Sequence, residues 1–268
     1  MMAEAFEAQW LAQRRAADQQ ARSRELAQAL AGWCGQRQGL RLLDLGAGSG
    51  ANATFLAPLL PRPQHWCLLD HDQRLLALAA DELAAQRDVT AATQVADLAT
   101  VDDAAFEARD VVTASALLDL VSAAWLEAVV AAAARARAAL LFALSYNGEV
   151  AWSPPLPGDE VAREAFNAHQ RGDKGLGPAL GPNAPAVAAA TARRYGYHVE
   201  RRSSPWVLGW GAADLQAWLL AGRYQAACAQ KPAWAGDLAD WAGARQTRID
   251  TGDSGVRVGH DDILALPP

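Results

Sequence analysis

The spacing of hydrophobic residues changes at about residue 40, and this change separates a helical N-terminal part from an alternating α/β part. Before it, apolar residues recur near helical spacing at Trp10 and Leu11 and again at Leu26 and Leu30, which predicts one or two helices over Ala3–Trp33. After it, short apolar runs alternate with Ala- and Leu-rich segments of helical length. This alternation predicts βαβ units and a parallel sheet.

The alternating part yields a full set of predicted elements. The first five predicted strands are Arg41–Leu45, Trp66–Leu69, Thr93–Val95, Asp110–Ser115 and Ala138–Leu144. The helices between them are Gly50–Leu59, Gln73–Gln86 and Ala123–Ala136. A stretch rich in proline and glycine, Tyr146 to Pro185, predicts an irregular insertion with a helical segment over Ala165–Lys174. The later elements are the helices Ala186–Tyr195, Ala212–Ala229 and Gly236–Ala244 and the strands Tyr197–Arg202, Pro205–Leu208 and Val256–Leu266.

A glycine-rich turn joins the first of these strands to its helix, with the sequence Leu43-Asp44-Leu45-Gly46-Ala47-Gly48-Ser49-Gly50. Glycine lets a ligand approach the backbone closely, and the free N–H groups of the next helix suit a carboxylate or a phosphate. Gly46, Gly48 and Ala51 also fit the dinucleotide fingerprint, so the turn alone is compatible with NAD. Asp44 argues against NAD, because a carboxylate at the strand end repels a pyrophosphate and attracts an ammonium group.

Two further aspartates follow strands at the spacing that a nucleoside site requires. Asp70 ends the second strand 20 residues after Gly50, where a carboxylate accepts hydrogen bonds from both hydroxyls of a ribose. A helix cap is the alternative role, but Asp72 is available for it. Asp97 closes the third strand, where it would accept from the amine of an adenine beside the Leu98 N–H. A plain turn aspartate is the alternative there.

These motifs, with the strand Asp110–Ser115, resemble those of class I S-adenosylmethionine-dependent methyltransferases over roughly Leu40 to Arg202. The resemblance implies an α/β, Rossmann-like fold with a seven-stranded, mostly parallel sheet, helices on both faces and one antiparallel strand near the end. Around it we expect N-terminal helices, an insertion after strand five and a C-terminal helical extension. The predicted organisation is one domain over residues 1–268, with a helical cap (1–39), a cofactor-binding half (40–145), an insertion or lid (146–185) and a C-terminal half with its extension (186–268).

The resemblance also implies the cofactor, S-adenosylmethionine, and its contacts. Gly46 and Gly48 would lie behind the methionyl part, Asp70 would bind the ribose and Asp97 the adenine. Related enzymes pack an N-terminal helix over the cofactor with an arginine on the methionine carboxylate, a partner that suits its paired donors. The predicted cofactor-binding residues are Asp44, Gly46, Ala47, Gly48, Asn52, Asp70, His71, Asp97, Leu98, Ser115, Arg14 and Arg22. For Arg14, a solvated ion pair with Asp18 is the alternative.

Polar residues concentrate at 167–178, after strand five, and open α/β sheets bind ligands at that edge. We therefore predict that this segment forms part of an acceptor pocket or a lid. The predicted substrate-binding residues are Trp152, Asn167, Gln170, Arg171 and Lys174. His169 is the predicted general base because the usual pKa of histidine lies near neutrality, with His71, Asp119 and Tyr146 as further candidates.

Methyl transfer from a sulfonium is an in-line displacement that mainly requires positioning of the acceptor, so we predict no nucleophilic triad and no metal site. The 268 residues carry a net charge of −6, which argues against a nucleic-acid partner. We therefore predict a small-molecule acceptor. The alternatives are a tRNA or rRNA methyltransferase, a non-catalytic cofactor-binding protein on the same fold, and an NAD-dependent enzyme.

Three further features of the sequence bear on the location and origin of the protein: the length of its apolar runs, its N-terminus and its content of lysine and alanine. No uncharged apolar run reaches the ~18 residues that span a bilayer, and no signal peptide is recognisable, so we expect a soluble cytoplasmic protein without a membrane partner. Only two of the 24 basic residues are lysine, which with the abundant alanine indicates a GC-rich, bacterial genome. The sequence leaves open the oligomeric state and the acceptor atom.

Overall fold

The computed structural model describes residues 2–35, 37–100 and 102–268. The N-terminal part forms two helices, α1 (Met2–Ala21) and α2 (Arg24–Cys34). Between them, the side chain of Ser23 accepts a hydrogen bond from the Leu26 N–H, 3.2 Å away, and so caps α2. The prediction of one or two helices over this part is confirmed.

A mixed sheet forms the centre of the molecule. Its strands in the described ranges are β1 (Leu40–Leu45), β2 (Gln64–Asp70), β3 (Val89–Val95), β4 (Val111–Ser115), β5 (Ala139–Ser153), β6 (His198–Ser203), β7 (Trp206–Leu208) and β8 (Gly255–Leu266). Their order is β3-β2-β1-β4-β5-β8-β6, and β7 pairs with β8. Strands β1 to β5 pair in parallel, whereas β8 is antiparallel to both β5 and β6.

The predicted α/β class and mostly parallel sheet are confirmed, with one difference in strand number. The short β7 is an eighth strand beside the seven that we expected. It pairs with β8 through Trp206 opposite Val258 and Leu208 opposite Val256, beyond the part of β8 that pairs with β6.

Helices cover both faces of this sheet. They are α3 (Ala51–Leu56), α4 (Gln73–Ala84), α5 (Ala123–Ala136), α6 (Asp159–Gln170), α7 (Ala184–Arg194), α8 (Ala213–Gln230) and α9 (Ala235–Asp250). Because successive strand residues point to opposite faces, β1 contributes Leu42 to a core with α2, α3 and α4, and Leu43 to a core with α5 and α7. None of the helices within the described residues has the length and hydrophobicity to cross a membrane.

The expected irregular insertion begins later than we predicted. Residues 146–153 continue β5, because Val150 to Ser153 pair with Val258 to Gly255 of β8. Two register shifts interrupt this pairing, one between Phe142 and Ser145 and one between Tyr146 and Val150. These shifts break the alternation of period two, so the sequence pattern predicts only the first half of β5. The helix of this region also lies earlier than expected, at Asp159–Gln170.

The extended ribbon of β5 and β8 supports the C-terminal helices. It shares a third hydrophobic core with α6, α8 and α9, which includes Tyr146, Trp152, Trp206, Leu220 and Trp241. The predicted C-terminal helical extension is therefore a second packed layer that meets the main sheet at the carboxyl end of β5.

Candidate functional site

The glycine turn follows β1 and lies beneath helix α1. Gly48 has a φ of 51° and Gly50 a φ of 80°, in the left-handed region that side chains other than glycine rarely adopt. At Gly50 a Cβ atom would lie 2.7 Å from the Cβ of Ala79 in α4, so packing requires glycine there. At Gly48 it would lie 3.8 Å from Leu11 of α1. Helix α1 therefore lies close to the turn at Leu11.

Asp70, at the end of β2, holds the turn in place. It is 6% exposed, and its Oδ2 accepts a hydrogen bond from the Gly48 N–H at 2.8 Å while its Oδ1 accepts from the Asp72 N–H at 3.0 Å. Asp72 caps α4 by accepting from the Arg74 and Leu75 N–H groups, so Asp70 is not the cap. The His71 ring lies largely in solvent, with its Nδ1 3.1 Å from Asp70 Oδ1.

Asp44 is fully buried at the end of β1. Its Oδ1 accepts from the Asn52 side-chain amide at 2.7 Å, and the same amide donates to Thr113 Oγ1 at 3.0 Å. Burial raises the pKa of Asp44 to about 7, against the opposing effects of the Asn52 hydrogen bond and the Arg22 charge. Among the described residues, Asp44 Oδ2 has no hydrogen-bond partner.

Arg22, at the junction of α1 and α2, places its guanidinium beside Asn52, the residue that also contacts Asp44. It is 5% exposed, donates through Nη2 to Ser115 Oγ at 2.7 Å and through Nη1 to Asn52 Oδ1, and lies 5.3 Å from the centre of the Phe55 ring. Its Nε has no partner in the part of the chain that the structure describes. Arg22 and Asp44 thus offer one unused donor and one unused acceptor of opposite charge, a combination that fits a zwitterionic amino acid.

Asp97 and Leu98 follow the end of β3, and Leu98 lies beside Gly46 of the glycine turn. Asp97 is exposed, and its Oδ1 accepts from the Ala99 N–H at 2.9 Å, as in a turn aspartate. A Cβ at Gly46 would lie 3.7 Å from Leu98 and 3.4 Å from Leu117, so these two leucines form an apolar wall beside the glycine turn.

Arg14 takes a different position from Arg22. Its Nε lies 3.0 Å from Asp18 Oδ2, and its guanidinium lies over the rings of Trp10, at 5.8 Å, and Trp206, at 5.1 Å. The Trp206 indole N–H donates to the same Asp18, at 3.1 Å. Arg14 therefore faces the C-terminal extension, and of the two predicted arginines only Arg22 contacts Asn52 and Ser115.

Asp119 follows the carboxyl end of β4, as predicted, whereas Tyr146 lies within β5 and not at its end, because that strand continues to Ser153. Asp119 is 8% exposed in a short 3₁₀ turn, and burial raises its pKa to about 6, while the charges of Arg14 and Lys174 oppose that shift. The Tyr146 hydroxyl donates to Asn167 Oδ1 at 2.7 Å. Burial raises the pKa of Tyr146 also, and the Arg223 guanidinium opposes this.

The other predicted catalytic and substrate-binding residues belong to α6, to the residues that follow it and to the second half of β5. His169 is half-buried in the last turn of α6, with its Nδ1 3.2 Å from Lys174 Nζ, and burial together with that charge lowers its pKa. Gln170 is adjacent, and Arg171 donates to the Asn167 carbonyl at 3.3 Å. Trp152 lies six residues beyond Tyr146 on β5, in the extension core, with Arg245 over its ring.

Two buried residues were not among the predicted site residues. Arg223 of α8 is 6% exposed, and its guanidinium lies 5.6 Å from the Tyr146 ring and 4.3 Å from the Phe166 ring. His260 of β8 is 7% exposed, and its ring lies 5.3 Å from Trp206 and 6.1 Å from Tyr146. One sequence signal could have identified Arg223, because it lies three residues after Leu220 on the apolar face of its helix.

In the described ranges, no three His, Cys, Asp or Glu side chains lie close enough together to hold a metal ion.

Comparison with known proteins identifies a methyltransferase domain within the chain. Residues 42–138 match the family model of a methyltransferase domain, which spans β1 to α5 and includes Asp44, the glycine turn, Asp70 and Asp119. No curated protein matches the sequence.

Two solved structures illustrate the likeness in fold. The cyclopropane synthase MmaA2 from Mycobacterium tuberculosis superposes with a TM-score of 0.50 at 16% identity, over 90% of this chain and 82% of that one. A SAM-dependent methyltransferase from Geobacter sulfurreducens, solved with S-adenosyl-L-homocysteine, gives a TM-score of 0.46 at 20% identity, over 92% of each chain. At such identities the likeness concerns the fold alone. Residues 42–138 therefore carry a methyltransferase domain, and the strand order and the site around the glycine turn agree with the resemblance to class I S-adenosylmethionine-dependent methyltransferases.

Proposed function

We propose that Arg22 and Asp44 hold the methionyl part of S-adenosylmethionine and that the protein methylates a small-molecule acceptor. One observation carries the proposal: two buried, oppositely charged side chains beside the glycine turn each keep an unused polar atom, Arg22 Nε and Asp44 Oδ2. Leaving such atoms unpaired costs about 1–3 kcal/mol each, and more for charged groups. The carboxylate and ammonium of the methionyl part would satisfy both.

The residues proposed to bind the rest of the cofactor lie at the same edge of the sheet, where β1, β2 and β3 end. The backbone of Gly46 to Gly48 lies behind the methionyl chain, and Asp70 accepts from the ribose hydroxyls while keeping the Gly48 N–H. Leu98 and Leu117 flank the adenine, and Asp97 accepts from its amine. When bound, the cofactor supplies a methyl group on a sulfonium, ready for direct in-line displacement.

We place the general base at Asp119 in preference to His169. Asp119 follows β4 by one short turn from Ser115, which Arg22 contacts, so it lies next to the proposed methionyl site. A carboxylate with a pKa near 6 is ionised at neutral pH and still accepts a proton readily. His169 lies at the end of α6 beside Lys174, whose positive charge disfavours the imidazolium that a base must form.

The surroundings of Asp119 favour a small acceptor over RNA. Helix α1 lies on one side and the extension formed by α6 and α8 on the other, so the candidate groups are buried, as in small-molecule sites. A folded RNA would need an exposed basic surface, whereas the chain carries a net charge of −6.

Calorimetric titration with S-adenosylmethionine and with NAD tests the cofactor assignment. We expect binding of the first and no measurable binding of the second, because Asp44 would repel a pyrophosphate. Incubation with methyl-labelled cofactor and a small-molecule extract, or with total RNA, then tests the acceptor class. Label in the low-molecular-weight fraction supports the proposal, whereas label in RNA alone would contradict it.

The raised pKa of Asp44 predicts a pH dependence of cofactor binding. The ammonium group binds the ionised carboxylate, whose fraction rises as the pH passes through about 7. The affinity should therefore increase by about tenfold between pH 6 and pH 8 and then level off. Calorimetry at fixed ionic strength over this range measures it. The Asp70→Asn variant should bind more weakly and move the profile toward lower pH, because the Asp70 charge contributes to the raised pKa of Asp44.

A further inference from the structure

We propose that the methyl acceptor carries an anionic group, a carboxylate or a phosphate, that the Arg223 guanidinium binds. The inference extends the proposed function, since it takes the ligand of this second group of residues to be the acceptor. It concerns a set of side chains contributed by α1, β5, β7, β8 and α8, here called the basic aromatic cluster: Arg14, Tyr146, Trp206, Arg223 and His260.

A continuous series of ring contacts links the members of the basic aromatic cluster. The Arg14 guanidinium lies 5.1 Å from the Trp206 ring, and Trp206 lies 5.3 Å from His260. His260 in turn lies 6.1 Å from Tyr146, and Tyr146 lies 5.6 Å from the Arg223 guanidinium. The five side chains therefore form one packed cluster between α1 and the C-terminal extension.

Arg223 is the member that lacks a counter-ion. Arg14 is paired with Asp18, but Arg223 forms no ion pair with any residue that the structure describes. Its Nε and Nη1 are buried and have no hydrogen-bond partner in residues 2–35, 37–100 and 102–268. The rings of Tyr146 and Phe166 stabilise the cation in part, and Arg223 also forms a hydrogen bond with the Tyr146 side chain, but Nε and Nη1 still have no partner among the described residues.

His260 contributes a second unused polar atom. Its Nδ1 is buried and without a partner in the described part of the chain. Burial, together with the charges of Arg14 and Arg223, lowers the pKa of His260 to about 3, so the ring is neutral at physiological pH. The single N–H of the neutral ring serves the hydrogen bond with the Val258 backbone, so the free nitrogen can accept a hydrogen bond from a ligand but has no proton to donate to an anion.

An anionic ligand would satisfy the unpaired N–H groups of Arg223. Arginine is the side chain best suited to bind carboxylate and phosphate, and a buried charge is tolerated when it is paired. The charge of Arg14 opposes the rise in the pKa of Asp119, and the charge of Asp119 raises the pKa of Tyr146, so Asp119 lies near these two members of the cluster. An acceptor anchored by its anion at Arg223 would therefore direct its other end toward Asp119. The aromatic members favour an acceptor with an apolar or aromatic body.

Calorimetry with three probes tests the proposal on protein loaded with S-adenosylhomocysteine. The probes are benzoate, phenyl phosphate and benzamide, the last a neutral analogue of benzoate with the same shape. We expect at least one anion to bind at least about tenfold more tightly than benzamide. Whichever anion is preferred identifies the group on the acceptor. This comparison uses the wild-type protein, so it does not depend on the folding of a variant.

Variants of Arg223 assign the effect to that side chain. Arg223→Gln should reduce the preference for the anion to less than about threefold, and Arg223→Lys should retain part of it. Arg248→Gln, which removes a partly exposed arginine of α9, is the matched control and should leave the preference unchanged. Equal affinity for all three probes in the wild type, or a full anion preference in Arg223→Gln, would overturn the proposal. Titration of S-adenosylmethionine into the same samples tests the proposed function separately, because its binding does not require Arg223.

Discussion

The Asp119→Asn substitution is expected to lower kcat by about 10²- to 10⁴-fold, the usual contribution of a general base. Asparagine keeps the size of the side chain and its hydrogen-bonding capacity but accepts no proton. Because Asp119 is 8% exposed and has a pKa of about 6, the wild-type kcat should rise with pH toward a plateau above about 7. Single-turnover formation of S-adenosylhomocysteine measures the rate once an acceptor has been found.

Two comparisons distinguish this role from a structural one. Asp103→Asn removes an exposed carboxylate, the ion-pair partner of Arg135, and should leave kcat unchanged. The cofactor affinity of Asp119→Asn should remain within about threefold of the wild-type value, since the residue lies outside the proposed methionyl site. A kcat near that of the wild type would exclude Asp119 as the base, and His169→Ala should then show the larger loss.

The Asp44→Asn substitution should weaken cofactor binding by about 2–3 kcal/mol, or roughly 30- to 150-fold in Kd. The amide still accepts from Asn52 but no longer attracts the ammonium group. The folded state should not suffer, because a buried carboxylate with a raised pKa is costly to ionise. Calorimetry gives the Kd, and thermal unfolding at pH 8 should give a Tm equal to or above that of the wild type.

The combination of weaker binding and undiminished stability makes this prediction specific. A variant that merely disturbed the fold would lose both. Ser49→Ala is a matched control in the same turn, since its side chain is absent from the hydrogen bonds described for Asp44, Asn52 and Arg22. Asp44→Asn should also abolish the increase in affinity between pH 6 and pH 8. Unchanged affinity would remove Asp44 from the methionyl site.

The cofactor half could be predicted from sequence because its determinants are local. The turn after β1 and the aspartate that ends β2 each lie at a strand end, and parallel strands bring such ends together at one edge. The role of Asp70 is also determined locally. Asp72 caps the N-terminus of α4, so Asp70 is free to accept the hydrogen bond from the Gly48 N–H. The choice between Arg14 and Arg22 required the structure, because both lie along the same helical segment.

The acceptor half could not be predicted, because its determinants are distant in sequence. Arg223 and His260 reach Tyr146 only through the packing of α8 and the pairing of β8 with β5. The register shifts around Gly148 interrupt the alternating pattern, so the sequence does not predict the second half of β5. The packing of the extension against that part of the sheet therefore could not be predicted either. Sequence reasoning therefore placed the acceptor residues on the segment after β5, while the buried cations lie in elements that follow much later.

Helix α1 gives the two halves a common mechanical element. Arg14 and Arg22 are eight residues apart, about 12 Å along one helical rod, and the Arg22 N–H still donates to the Asp18 carbonyl. A tilt of that rod displaces one arginine at the cofactor and the other at the aromatic rings. Exchange of this segment between related enzymes should therefore alter the surroundings of Asn52 and Ser115 and those of Trp206 at the same time.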